Sequence, residues 1–377
     1  MASRSDAICA DEPLHTSDAL VPERIGLSSV SGAASERLAY GDIMRVLGVV
    51  AVVVQHVAQS GVRSLGEIPV VYWQVCNVTT SLTKWAVPVF VMLSGALLLD
   101  PTRQESSGVF FRRRFVRVGI PTIFWSAFFL LFAAAETKFT LPLSEMTDRL
   151  LSGNPYYHMH FMFLITGLYL FTPALRAFVR SSTDSDRTLV IAVSLLLAMF
   201  SQAIMIWQGY KPNALSLFVP YVGYYLAGYQ IRNVKLSSRA RRVAWLAGLG
   251  AVAVTAVGSS ILCPRLGLSL QGRYFYTYFS PPVILMSFCA FILMADGFRR
   301  PVPGSPNRVL SHLANAALGV YLIHPIFFTI IVHFERIPLS RTRSPVAILV
   351  ISAFLLAASY VGTIVMQRIP YLRRVLG

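Results

Sequence analysis

Charge is scarce in this sequence. Only 13% of its residues are Asp, Glu, Lys or Arg, about half the share of a soluble globular domain. With 55% of residues hydrophobic, too little polar surface remains to cover a water-soluble particle, which excludes that class. Hydrocarbon as solvent removes the conflict, because lipid-facing side chains are apolar all round. Acid is scarcer still: 17 Asp and Glu stand against 33 Lys and Arg, for a net charge of +16. Such an excess suggests nucleic acid. Here, however, the basic residues punctuate apolar runs and form no continuous stripe, so no nucleic-acid partner is expected. Cysteine is also rare. Cys9, Cys76, Cys263 and Cys289 are far apart and form no CxxC pair, which argues against cysteine-held metal. Cys76 and Cys263 both fall near one surface, where a disulfide is an option beside free thiols. Residues 1–36 lack a continuous apolar h-region and so do not read as a signal peptide. Rich in Ser, Ala, Asp and Glu, they read as a flexible cytosolic tail, leaving 37–377 as a membrane-embedded domain. An internal repeat, common in transporters, is not visible.

What the chain does have is apolar length. One span needs about 20 apolar residues, and such segments recur at 43–61, 84–99, 117–135, 159–177, 188–207, 214–231, 243–263, 279–297, 310–334 and 344–366. The fold class is therefore all-α: a multi-pass membrane protein with about ten transmembrane helices. With the N-terminus placed in the cytosol, inner segments carry 21 Lys and Arg and outer loops carry 10. This two-to-one bias predicts that both termini are cytosolic. Loop 335–343, with Arg336, Arg341 and Arg343, runs against it.

Ionisable side chains inside spans are costly and usually functional. Asp42 and Arg45 are three apart in the first span, and His56 follows Arg45 by eleven. Eleven residues make three turns plus about 20°, so Arg45 and His56 share a face, roughly 16 Å apart along the axis. In the ninth span, His324 lies at a similar depth beside Pro325, with Tyr321 on the same face three residues earlier. Proline frees a backbone carbonyl that polar neighbours can use. His158 and His160 precede the fourth span beside Tyr156 and Tyr157. The tyrosines suit an aromatic belt and the histidines a polar outer vestibule. Without acidic partners or i, i+4 spacing, the two histidines predict no metal site. Arg113, Arg114 and Arg117 can share one face of a short helix. They read either as topogenic charge anchored to anionic lipid or as a clamp for phosphate oxygens.

With these residues set out, the chain resembles the integral-membrane acyltransferase 3 family, most closely the branch that includes the enterobacterial common antigen O-acetyltransferase. The likeness rests on Asp42, Arg45 and His56, then V-P-V-F-V-M-L-S-G at 87–95 and R-R-x-x-R-x-x-x-P at 113–121. It continues through 157–176, Y-V-G-Y-Y-L-A-G-Y at 221–229 and L-G-V-Y-L-I-H-P at 318–325. It departs at His160, where related chains often carry Trp, and at Ala96, where they often carry an aromatic residue.

The resemblance implies transfer of an acyl group, usually acetyl, from cytosolic acyl-CoA to a hydroxyl. The acceptor would be a surface polysaccharide, lipopolysaccharide or lipid-linked sugar, and the setting a bacterial inner membrane. His56 would match the family's essential histidine and Arg45 its companion. Arg114 and Arg117 would bind the CoA phosphates, and Ser94 and Gly95 would form a small-residue turn. Acetyl-CoA is then the donor, and no permanently bound cofactor is implied. Asp42 joins His56 and Arg45 as a catalytic candidate, Arg113 and Ser94 join the acyl-CoA-binding group, and His158, His160, Tyr321 and His324 face the acceptor. His56 would act as general base on the hydroxyl or briefly carry the acyl group. The competing reading, from the same intramembrane Arg and His, is a transporter or flippase of a lipid-linked sugar.

Overall fold

The computed structural model describes residues 27–102, 105–209, 213–298, 307–334 and 344–377; loop 335–343 and residues 1–26 of the expected tail lie outside them. The described residues form helices and turns, with no strand. In chain order the helices are α1 (Leu27–Val62), α2 (Val70–Thr83), α3 (Ala86–Leu98), α4 (Ser107–Arg114), α5 (Ile120–Glu136), α6 (Leu143–Leu151) and α7 (His160–Ser181). They continue as α8 (Asp184–Gln208), α9 (Val222–Ile231), α10 (Ser238–Leu266), α11 (Pro281–Gly297), α12 (Asn307–Phe334), α13 (Pro345–Arg368) and α14 (Pro370–Arg373). Helix α1 already begins within the stretch read as tail.

Among the described residues, nine helical segments are long and apolar enough to cross a membrane. The sixth expected span is different. Its helix, α9, has 10 residues, about 15 Å of rise, and is preceded by a 3₁₀ turn at Val219–Tyr221. It nevertheless traverses the bundle. The Ala214 amide at its start bonds the Leu151 carbonyl at 2.7 Å, beside the first turn of α7. At its end Gln230 meets Arg187 at 2.8 Å, and Arg232 pairs with Asp100 at 3.6 Å, both near the last turn of α7. Nine of the ten expected spans are therefore matched by a helix of spanning length among the described residues, and the sixth is a short helix preceded by turns. Tyr224, Tyr225, Leu226 and Ala227 are all buried, so this crossing runs through protein. Irregular backbone at membrane depth is tolerated there.

The second span also departs from expectation. It starts at Val70 and breaks at Lys84, so Lys84 lies inside the span rather than in an outer loop. Along the helix axis it is about 21 Å from Leu98.

Helices α1, α3, α9 and α12 form the centre of the bundle. The Val70–Leu98 window is 72% buried, whereas that of Asp184–Gln208 is 22% buried, marking α8 as lipid-facing. Without a hydrophobic drive between helices in lipid, small residues set how closely they approach. Gly95 of α3 and Gly228 of α9 show this: a Cβ on Gly95 would fall 1.8 Å from the Tyr225 carbonyl oxygen, and one on Gly228 1.8 Å from that of Met92. Gly95 thus sits inside a helix at a crossing, not in the small-residue turn that the resemblance implied.

Helix starts follow ordinary capping chemistry. Thr183 and Asp186 form a reciprocal capping box on α8, while Ser237 and Ser344 cap α10 and α13. Each hydroxyl satisfies an otherwise orphaned amide. At the opposite polarity, buried Arg176 donates twice to the Leu98 carbonyl, at 3.1 and 2.8 Å, closing the C-terminal end of α3. Cys263 is a buried free thiol that donates to the Gly272 carbonyl at 3.2 Å, so the disulfide option with Cys76 is not taken.

Candidate active site

Arg45 lies on α1 and pairs with Asp42 at 2.6 Å, as the three-residue spacing requires. Asp42 is buried and also accepts from the Ser311 hydroxyl of α12 at 2.8 Å. Asp42 therefore ties Arg45 to a second helix and sets where its guanidinium points. That guanidinium lines a cavity of ≈ 170 Å³ shared with Ser94, Arg114, Arg117, Tyr169, Asn315 and Tyr321. The volume is several times a water's share of liquid, about 30 Å³. A slim chain fits such a space.

The three clamp arginines do not act together. A π-helical turn over Phe115–Gly119 links α4 to α5, a device common at functional sites. Arg114 and Arg117 line the cavity; Arg113, next to Arg114 on α4 and so about 100° round the helix from it, does not. Arg113 is exposed and pairs with Glu105 at 3.1 Å. The structure thus places Arg113 outside the cavity that Arg114 and Arg117 line. Arg114 is held between the Phe110 and Tyr169 rings, 5.6 and 5.8 Å from their centroids, and its buried Nε has no partner among the described residues.

At its deep end the cavity reaches Tyr321 and Phe161. Tyr321 donates its hydroxyl to the His158 carbonyl, and its ring lies 5.4 Å from that of His158. Beyond this wall three histidines meet. His324 stacks on His56 at 5.2 Å and meets His158 edge-on at 5.6 Å. Tyr157 meets His56 edge-on at 4.9 Å. The eleven-residue step from Arg45 to His56 therefore joins the basic mouth to this cluster along one helix. Among the described residues, no group of three His, Cys, Asp or Glu could hold a metal ion; the rings stack and their nitrogens do not converge.

Local chemistry orients the cluster. Pro325 lacks the amide that would bond the Tyr321 carbonyl one turn back, and His324 Nδ1 sits 2.7 Å from that carbonyl. A carbonyl only accepts, so Nδ1 carries the proton and Nε2 presents a lone pair. That Nε2, both ring nitrogens of His158 and the Tyr157 hydroxyl are buried with no hydrogen-bond partner among the described residues. Buried polar atoms are nearly always bonded, and these four lie together around the histidine cluster.

His160 parts company with His158. Its ring turns toward Tyr278 at 6.4 Å, and its Nδ1 lies 3.3 Å from the Tyr157 carbonyl. Tyr156 packs on Phe129 at 4.8 Å, so the two tyrosines line the interior instead of a lipid belt. Three residues near the cluster escaped the sequence reading: Lys84, Gln55 and Tyr157. Lys84 was hidden because a hydropathy scan reads a lone lysine as a span boundary. Gln55 was legible as a polar residue in an apolar run. The partnership of Tyr157 with His56 depends on long-range packing and leaves no local signal.

Residues 38–365 match the acyltransferase domain that defines the acyltransferase 3 family. The chain belongs to that family. No curated protein and no solved structure matches it. The match covers every helix that builds the cavity and the histidine cluster, and it makes the protein a multi-pass membrane acyltransferase.

Proposed function

We propose that this acyltransferase moves an acetyl group from cytosolic acetyl-CoA to a hydroxyl of an extracytoplasmic glycan or lipid-linked sugar, in a bacterial inner membrane. Its sequence pattern favours the branch that includes the enterobacterial common antigen O-acetyltransferase. The observation that carries this reading is an arginine-lined cavity that ends at Tyr321, with the histidine cluster on the other side of that ring. Arg45, Arg114 and Arg117 supply charge-assisted donors for the CoA phosphates. The pantetheine arm lies along Ser94 and the apolar walls, with the thioester directed toward Tyr321.

His56 accepts the proton of the acceptor hydroxyl as its oxygen attacks the thioester carbonyl carbon. The C–S bond then breaks, the proton passes to the departing sulfur, and the products are an acetyl ester and free CoA. His324, His158 and Tyr157 surround His56 and orient the acceptor. The buried rings of His158 and His324 beside it restrict the access of water, which would otherwise hydrolyse the thioester.

Purified protein in detergent, given acetyl-CoA and a glycan extract, is expected to release free thiol only when acceptor is present. Absence of thiol release, with labelled glycan crossing a proteoliposome membrane instead, would favour a transporter. The arginines give a graded prediction. Arg114→Gln and Arg117→Gln each raise KM for acetyl-CoA roughly ten- to hundredfold, the worth of a charge-assisted hydrogen bond. Arg113→Gln changes it little, because that side chain is engaged outside the cavity. Equal effects at all three positions would show that the arginines act only as general surface charge.

A further inference from the structure

Lys84 has no part in the donor route, yet it is 4% exposed at the break between α2 and α3. Its ammonium lies 5.5 Å from the Tyr276 ring centroid and 5.6 Å from that of Tyr278. Among the described residues it has no carboxylate partner and no side-chain hydrogen bond. The other charges whose fields reach it are also cations, Arg273 and Arg63. Of the acids on the same side, Glu136 accepts from Tyr156 at 3.3 Å, Glu145 pairs with Arg149 at 2.6 Å, and Glu67 and Asp148 are exposed at the surface. A lone cation buried at membrane depth is costly and persists where it has a functional partner.

A second buried polar group faces the same place. Gln55 is 4% exposed and hydrogen-bonds the Tyr278 hydroxyl, while its Oε1 has no partner among the described residues. His160 covers the Tyr278 ring as well. Lys84, Gln55 and His160 thus gather around one tyrosine. Gln55 is the chain neighbour of His56, so a group held here sits next to the transfer histidine.

We propose that Lys84, with Arg63 and Arg273 at its rim, binds an anionic group of the acceptor, a sugar carboxylate or a phosphate. This rests on the acyl-transfer reading for its purpose but not for its measurement. Lys84 supplies the charge, Gln55 and His160 supply neutral hydrogen bonds, and the hydroxyl neighbouring the anion is presented to His56. The acceptor class is then an acidic glycan: a uronate-bearing oligosaccharide or a phosphate-bearing glycan or glycolipid.

The test is equilibrium binding to the purified full chain in detergent. Its three probes are an oligogalacturonate, the same oligomer with its carboxyls reduced to neutral hydroxymethyl groups, and a glycerol phosphate oligomer. One anionic probe is expected to bind more tightly than the neutral one by roughly ten- to hundredfold, and which one it is identifies the anion. Lys84→Met erases that preference while neutral binding stays unchanged, and Lys84→Arg retains it. If Lys84→Met does not elute as a single species, Arg63→Gln and Arg273→Gln on the rim carry the same test and each weaken the preference. Equal binding of all three probes by the unaltered chain, binding of none, or a preference unaffected by these variants would overturn the proposal. His56→Ala is expected to keep the anion preference, so a failure of the acyl-transfer reading would appear in thiol release and leave this result standing.

Discussion

His56→Ala is expected to lower kcat for acetyl transfer by about 10²- to 10⁴-fold, the usual contribution of a positioned general base. The substituted chain should remain folded, because His56 is partly exposed and makes ring contacts to Tyr157 and His324 with no cap or ion pair depending on it. KM for acetyl-CoA should move little, since the donor phosphates are held about 16 Å away near Arg45. A large fall in kcat at nearly constant KM is the signature of an interaction made in the transition state. Arg45→Ala should act the other way, raising KM first. Acceptor-dependent thiol release over a range of acetyl-CoA concentrations separates the two. Full activity in a folded His56→Ala protein would remove the histidine from the chemistry.

Gly95→Ala and Gly228→Ala carry the largest expected effect on stability. Each added methyl would sit 1.8 Å from a backbone carbonyl oxygen of the facing helix, far inside contact distance. Neither obstacle is a side chain able to rotate away, so α3 and α9 must separate. Overpacking in a well-packed interior costs about 1–3 kcal/mol and sometimes more; here the upper end or beyond is expected, because the whole crossing shifts. Ser94, next to Gly95, lines the arginine-mouthed cavity, so activity should fall with stability. Gly250→Ala is the control. Nothing lies within 4 Å of a Cβ there, and helix propensity alone would favour the substitution by up to about 1 kcal/mol. Thermal unfolding in detergent, read with the monodisperse fraction, distinguishes these cases. Gly95→Ala and Gly228→Ala unfolding at the temperature of the unsubstituted chain would show that the crossing is looser than described.

These outcomes reflect which features a sequence can reveal. Arg45 and His56 were legible because both ride one helix, where the 3.6-residue period fixes their common face. His324 was legible for a similar reason: Pro325 and Tyr321 act within one turn, and the carbonyl freed by the proline is the one His324 takes up. The apolar runs gave the crossings, since in lipid a helix must satisfy its own backbone. What escaped depends on packing between distant segments. Nothing local tells Arg113 from Arg114; adjacent on α4 they point about 100° apart, and how α4 packs on α7 decides which of them meets the cavity. Nothing local brings Tyr157 to His56 or His160 to Tyr278. Lys84 reads as a boundary in any hydropathy scan, because the scan does not see the tyrosines that bury it. The short α9 escaped because its other half crosses as turns, wrapped by neighbouring helices.

The central claim is that donor chemistry at the arginine mouth reaches the histidine cluster through the bundle. Proteoliposomes of one orientation test it directly. Radiolabelled acetyl-CoA, which does not cross a bilayer, is supplied only on the side of Arg45, Arg114 and Arg117, with glycan acceptor only on the opposite side. The account predicts acetyl label on the glycan, absent with His56→Ala. Label that forms only when donor and acceptor share one side would contradict it.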